Sequence, residues 1–123
     1  DIGASTGGFT DVMLQNGAKK VYSVDVGHDQ LDEKLINNEK VINLEGTNIK
    51  DMDAKDFNAI DFISTEVSFI SILQVIPKIY ELLRIKGNAV ILIKPQFEVG
   101  KQNLNKNGVV KDIKIHKKIL KSI

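Results

Sequence analysis

The stretch Asp1-Ile2-Gly3-Ala4-Ser5-Thr6-Gly7-Gly8-Phe9-Thr10-Asp11, read together with Asp25 at the end of the next apolar run, decides the fold. A glycine-rich turn between a strand and a helix lets backbone approach a ligand closely, and an acid about 20 residues later accepts hydrogen bonds from a ribose diol. Here Gly3 and Asp25 are 22 residues apart. Two other glycine loops share this outline. A phosphate-binding loop reads G-x-x-x-x-G-K-[ST], and Gly3 to Gly8 has that spacing, but Phe9 stands where the lysine must reach the phosphates. The dinucleotide fingerprint needs its second glycine for the pyrophosphate, and that position is Ser5. S-adenosylmethionine carries no phosphate, so D-x-G-x-S-x-G suits it. The competing reading is a tight strand-to-helix turn with no ligand.

Composition bounds the answer. A chain of 123 residues can bury one core. It contains no cysteine, which excludes a disulfide framework and a cysteine metal site, and its two histidines are isolated, so no zinc site is expected. No apolar run approaches the roughly 20 residues that span a bilayer, and no signal peptide is recognisable, so a soluble, cytoplasmic setting is expected. The net charge of +1 is unevenly placed. Residues 101–123 hold seven lysines (Lys101, Lys106, Lys111, Lys114, Lys117, Lys118, Lys121) against Asp112 alone, while residues 1–100 hold ten basic and fifteen acidic side chains. The lysine-rich segment is either a surface for nucleic acid phosphates or a solvated helix face.

Apolar runs alternate with amphipathic stretches, which predicts an α/β fold with a parallel sheet covered by helices on both faces. Helices are expected at 10–16, 30–37, 71–84 and 112–123, and strands at 20–26, 41–44, 60–65 and 90–93, with a polar connection over 47–57. In the 71–84 segment Pro77 either starts the regular helix or kinks it, and Gly87 ends it. The strand that should lead into Asp1 is central in such a sheet, with the strand order reversing beside it and the ligand crevice at its carboxyl end. It is expected to be missing from residues 1–123, as are the C-terminal strands, leaving the fold incomplete. On this reading the chain is part of a longer protein.

The carboxyl ends of the later strands carry polar residues where such a crevice needs them: Thr65-Glu66-Val67-Ser68-Phe69-Ile70-Ser71 and Lys94-Pro95-Gln96-Phe97-Glu98. A lysine directly after a buried strand, held by a rigid proline, loses much of its solvation, which makes Lys94 a candidate base or steering group for an alcohol. Its structural alternative is an ion pair with Glu66 or Glu98. Ser68 and Ser71 are alternatively caps of the following helix.

Taken together, DIGASTGGFTD, VYSVDVGHDQL, EGTN, EVSFIS, LIKPQFEVG and GVVKD with His116 resemble the hemolysin A family of FtsJ-like ribosomal RNA 2′-O-methyltransferases. The resemblance covers essentially the whole chain and is most specific in GASTGGFTD, VSFIS and KPQFE. It implies a Rossmann-like methyltransferase fold, S-adenosylmethionine as donor, and a ribose 2′-hydroxyl of ribosomal RNA, usually of cytidine, as acceptor. Carried over, Gly3, Ala4, Ser5 and Gly7 would hold the methionine end of the cofactor, Asp25 its ribose, and Val26 with Asn48 the neighbourhood of its adenine.

Such enzymes place a lysine, an acid, a second lysine and a glutamate around the target ribose. Lys94 matches the second lysine, and Glu66 falls on the acid's position, where the family normally has aspartate. The first lysine and the last glutamate would lie outside residues 1–123, as would the family's amino-terminal S4-like RNA-binding domain. The implied mechanism is in-line attack of the ribose oxygen on the sulfonium methyl, without a metal. Readings of other classes are a noncatalytic RNA-binding module, a dinucleotide-dependent oxidoreductase disfavoured by Ser5, and membrane damage, for which no strongly aromatic amphipathic surface is visible.

Overall fold

The computed structural model describes residues 1–99 and 113–122. The chain forms α1 (Gly8–Gln15), β1 (Val21–Val24), α2 (Glu33–Ile36), β2 (Val41–Leu44), β3 (Ile60–Thr65), α3 (Ile76–Leu82), β4 (Leu83–Ile91) and α4 (Ile113–Ser122), with short 3-10 turns between them. Strands β1 and β2 pair in parallel from Val21 opposite Val41 to Val24 opposite Leu44. Strands β3 and β4 pair in parallel from Phe62 opposite Asn88 to Thr65 opposite Ile91. Parallel bridges from Ile2 to Val24 and to Thr65 join the two pairs, giving the order β2, β1, Ile2 segment, β3, β4. Residues at the very start of the chain therefore occupy the centre of the sheet, between β1 and β3, through the two bridges of Ile2.

Alternation along β3 assigns its two faces. Ile63 joins an apolar cluster with Ile2, Ile49, Ile72, Val75 and Ile79, which packs α3 beneath the sheet. The next residue, Ser64, points to the opposite face, where its hydroxyl donates to Asp1 Oδ1 at 2.9 Å. Thr10 of α1 donates to Asp1 Oδ2 at 2.7 Å and shares a hydrogen bond of 2.8 Å with Ser23 of β1. Thr10, Ser23 and Ser64 are buried, so this cluster is a polar seam between α1 and the sheet in which each hydroxyl has a partner. A second apolar cluster of Leu31, Leu35 and Val41, with Leu14 against it, seats α2 on α1 and β2.

Two adjoining expected elements are corrected. Helical spacing predicts a helix over 71–84 ended by Gly87, followed by a strand over 90–93. Instead, a 3-10 turn (Ile72–Gln74) leads into α3, which stops at Leu82, and the chain is extended from Leu83. Pro77 lies in the first turn of α3 and starts it, because its missing N–H is not needed there. Leu83 is taken by pairing with Ile60, and Arg84 pairs with Asp61, so contacts across the sheet override local periodicity. The register then jumps in a bulge containing Lys86, whose φ is +66°. Of the lysine-rich segment, Lys101, Lys106, Lys111 and Asp112 lie outside the described residues, as does the GVVKD motif.

Candidate functional site

The glycine loop follows directly from the central Ile2. Gly3 N–H and Ala4 N–H both donate to Val24 O, at 2.8 and 3.0 Å, and Glu66 N–H donates to Ile2 O at 2.9 Å. Gly3 has a φ of +76°, and a Cβ there would stand 1.9 Å from the carbonyl oxygen of Glu66. The absent side chain thus serves a protein contact: it brings the loop against the strand end that carries Glu66. Ala4 is buried, Ser5 is exposed at a φ of +50°, and Gly7 is buried beneath Leu31 and Leu35 as the residue preceding α1.

Asp25 emerges just beyond β1 and is half-buried. Its Oδ2 accepts the Ser5 N–H at 2.7 Å and its Oδ1 accepts the Gly27 N–H at 2.9 Å. A carboxylate offers about four acceptor positions, so each oxygen keeps one for an incoming hydroxyl. The side chain therefore ties the glycine loop to the loop after β1 while retaining the capacity expected of a ribose ligand. The backbone of Asp25 accepts the Thr47 N–H at 2.9 Å, which draws the 45–48 segment alongside. Val26 is 68 % exposed, a large apolar side chain held in solvent beside this carboxylate. Asn48 is exposed and its Oδ1 accepts the Lys50 N–H at 3.0 Å, capping a 3-10 turn.

At the other side of the loop, the segments following β3 and β4 meet. Lys94 Nζ lies 3.2 Å from Glu66 Oε1 and 2.9 Å from Ser68 Oγ. The Lys94 side chain is 20 % exposed and that of Glu66 41 %, so the ammonium is sheltered while its partner reaches solvent. Of the alternatives left open by the sequence, Glu66 is the ion-pair partner. Glu98 accepts the Ser71 hydroxyl and, at 2.7 Å, the Ile72 N–H. Ser71 does cap the 3-10 turn, accepting the Leu73 N–H at 3.1 Å. Ser68 corrects the capping expectation: its hydroxyl takes the Lys94 ammonium.

One ring of an aromatic pair stands beside this lysine. Phe69, 87 % exposed and at a φ of +68°, stands 5.2 Å from Phe97 between centroids, and Lys94 Nζ is 5.9 Å from the Phe97 ring. A bulky side chain at positive φ is strained, so its exposure is held by the surrounding turn. Neither ring was singled out from the sequence, because the pair forms only where two loops 28 residues apart converge. The hydroxyl seam around Asp1 was also missed, although Ser23 and Ser64 inside apolar strands were a visible signal. One continuous path thus runs from Lys94 through Glu66 and Gly3 to Ser5 and Asp25.

Residues 1–123 match the FtsJ-like methyltransferase family. The chain belongs to that family. Among the curated relatives of this FtsJ-like chain, Hemolysin A of Brachyspira hyodysenteriae is 47 % identical over 98 % of the chain and 51 % of its own length. The 16S/23S rRNA (cytidine-2′-O)-methyltransferase TlyA of Mycobacterium tuberculosis is 42 % identical over 91 % of the chain and 42 % of its own length. The solved structure of a candidate hemolysin from Streptococcus thermophilus superposes with a TM-score of 0.93 at 48 % identity, over 99 % of this chain and 45 % of that one. The FtsJ-like chain thus spans about half the length of the curated relatives it matches. Among the described residues there is no group of three or more metal-ligating side chains, and no helix long and apolar enough to cross a membrane. A concavity of about 890 Å³ lies between the facing edges of β1 and β3 and is lined by residues such as Val21, Phe57, Phe62 and Ile63. It is an apolar slot on the amino-terminal side of Ile2, separate from the polar strand ends.

Proposed function

We propose that the protein carrying this chain transfers a methyl group from S-adenosylmethionine to a ribose 2′-hydroxyl of ribosomal RNA, cytidine being the target nucleoside, in a Rossmann-like unit centred on the Ile2 segment. The observation that carries this reading is Lys94, sheltered between Glu66 and Ser68 on the strand end against which the glycine loop packs. The curated relative named as an rRNA (cytidine-2′-O)-methyltransferase supports it.

The residues suit the cofactor. Asp25 keeps acceptor positions for a diol, Val26 offers an exposed apolar face for a purine, and the loop of Gly3, Ala4, Ser5 and Gly7 leads into the amino terminus of α1, the end of a helix that favours a carboxylate. Asn48, beside the same segment, keeps its amide nitrogen for the adenine edge. S-adenosylmethionine supplies an electrophilic methyl group on a positive sulfur. Lys94 supplies the positive charge that favours an alkoxide at the attacking ribose oxygen, and Glu66 and Ser68 hold that ammonium in place. Phe69 and Phe97 offer ring faces to the base of a splayed nucleotide. Lys114, Lys117, Lys118 and Lys121 are exposed and fall on one face of α4 at helical spacing, where they suit RNA phosphates.

Incubating the full-length protein with ribosomal subunits and a donor labelled in its methyl group tests the reading. The expected result is label in ribosomal RNA with the wild type and its loss with Lys94→Ala. RNA binding without incorporation by the wild type would establish the noncatalytic module instead.

A further inference from the structure

We propose that Glu98 is a positioning residue: it locks the loop after β4 onto the loop after β3 and thereby sets where Lys94 stands for the methyl transfer proposed above, on which reading this inference rests. Glu98 closes the KPQFE motif, yet it makes no ion pair with Lys94, whose carboxylate partner is Glu66. Its two oxygens are instead spent on the opposite loop. Oε1 accepts the Ile72 N–H at 2.7 Å and Oε2 accepts the Ser71 hydroxyl. The Ser71 hydroxyl accepts the Leu73 N–H at 3.1 Å, so its single proton is the one that goes to Glu98.

The anchored side is firm, because Ile72 and Val75 are 1 % and 0 % exposed in the core. The other side is short. Phe97 N–H donates to Lys94 O and Glu98 N–H to Pro95 O, both at 3.0 Å, so a single 3-10 turn separates Glu98 from Lys94. Fixing the Glu98 carboxylate therefore fixes the backbone of Lys94 and the Phe97 ring with it. Hydrogen bonds to an ionised carboxylate are among the stronger ones, and they join segments 26 and 27 residues apart in sequence.

A clamp and a charge make opposite predictions for the amide. Glutamine can accept the Ile72 N–H through its carbonyl and donate to Ser71, which keeps the loops joined, whereas alanine cannot. In the full-length protein, Glu98→Ala is expected to slow single-turnover methyl transfer about thirty- to a hundredfold, the scale of an ångström of misplacement, while cofactor affinity stays within about threefold. Glu98→Gln is expected to stay within about fivefold of wild type. Amide hydrogen exchange over residues 66–73 and 92–98 should accelerate in Glu98→Ala and not in Glu98→Gln.

The exchange measurement needs no methyl transfer, so it judges the clamp even if the wild type proves inactive on RNA, an outcome that would fail the functional reading alone. Ser71→Ala, which removes one of the two bonds, should show the same exchange pattern to a smaller extent and serves if Glu98→Ala does not fold. The proposal is overturned by unchanged exchange in Glu98→Ala and Ser71→Ala, by Glu98→Gln as slow as Glu98→Ala, or by a parallel collapse of cofactor affinity.

Discussion

Replacing Asp25 by alanine separates the two tasks that the structure gives to one carboxylate. Its oxygens already hold Ser5 N–H at 2.7 Å and Gly27 N–H at 2.9 Å, and the acceptor positions left over are those assigned to the ribose diol. A hydrogen bond to a charged group is worth roughly 1.5–3 kcal/mol, so losing two to the ribose costs about 3 kcal/mol or more in cofactor binding, somewhat over a hundredfold in Kd. Stability should suffer less. Ser5 is exposed, so its released N–H turns to water, and the loop remains pinned by Gly3 and Ala4 on Val24; the expected loss is about 1 kcal/mol. Asp25→Asn keeps one oxygen, which still accepts one N–H and one hydroxyl, while its NH2 turns a donor toward the other N–H, so it should fall between, near tenfold in Kd. Isothermal titration with S-adenosylmethionine, alongside thermal unfolding, measures both effects. A Kd for Asp25→Ala within about twofold of wild type would refute the assignment of Asp25 as ribose ligand.

Other substitutions test the remaining parts of the site. Lys94→Ala should lower the rate of methyl transfer by about a hundredfold or more with cofactor affinity nearly intact, and near-normal turnover in single-turnover kinetics would remove it from the catalytic set. Glu66→Asp shortens the carboxylate arm by one methylene and should give equal or higher activity; a loss of more than about tenfold would show that the longer side chain is matched to Lys94 in this protein. Gly3→Ala drives a methyl group into the Glu66 carbonyl at a φ of +76° and should destabilise the fold by roughly 3 kcal/mol, read as a lowered Tm; an unchanged Tm would disprove the close packing of loop on strand end. Changing Lys114, Lys117, Lys118 and Lys121 to glutamine should weaken RNA binding and reduce the slope of log K against log salt by roughly 0.7 to 0.9 for each phosphate no longer neutralised, and an unchanged slope would leave α4 as a solvated face.

Much of the fold was legible because the relevant signals are local. The strands Val41–Leu44 and Ile60–Thr65 have the expected bounds, each an apolar, β-branched run closed by polar residues. The glycine loop and Asp25 were legible as a unit, and the glycines as either a ligand loop or a tight turn, but not the contacts they serve: Gly3 answers to the Glu66 carbonyl and Gly7 to Leu31 and Leu35. The boundary between α3 and β4 was not legible. Leu82 and Leu83 continue the helical spacing, and only pairing with Ile60 turns Leu83 into a strand residue. Similarly, Lys94 and Glu66 were visible as strand-end residues, but the choice of Glu66 over Glu98, and the parts played by Ser68, Phe69 and Phe97, depend on how two loops meet. Nothing in either loop's own sequence encodes that meeting.

Mass spectrometric mapping of ribosomal RNA, after reaction with the full-length protein and a deuterium-labelled methyl donor, tests most directly whether Lys94 and the glycine loop serve methyl transfer to a ribose. The expected result is a single labelled methyl on the 2′-oxygen of a cytidine, present with the wild type and strongly depleted with Lys94→Ala. Label on a base, or none on RNA at all, would contradict it.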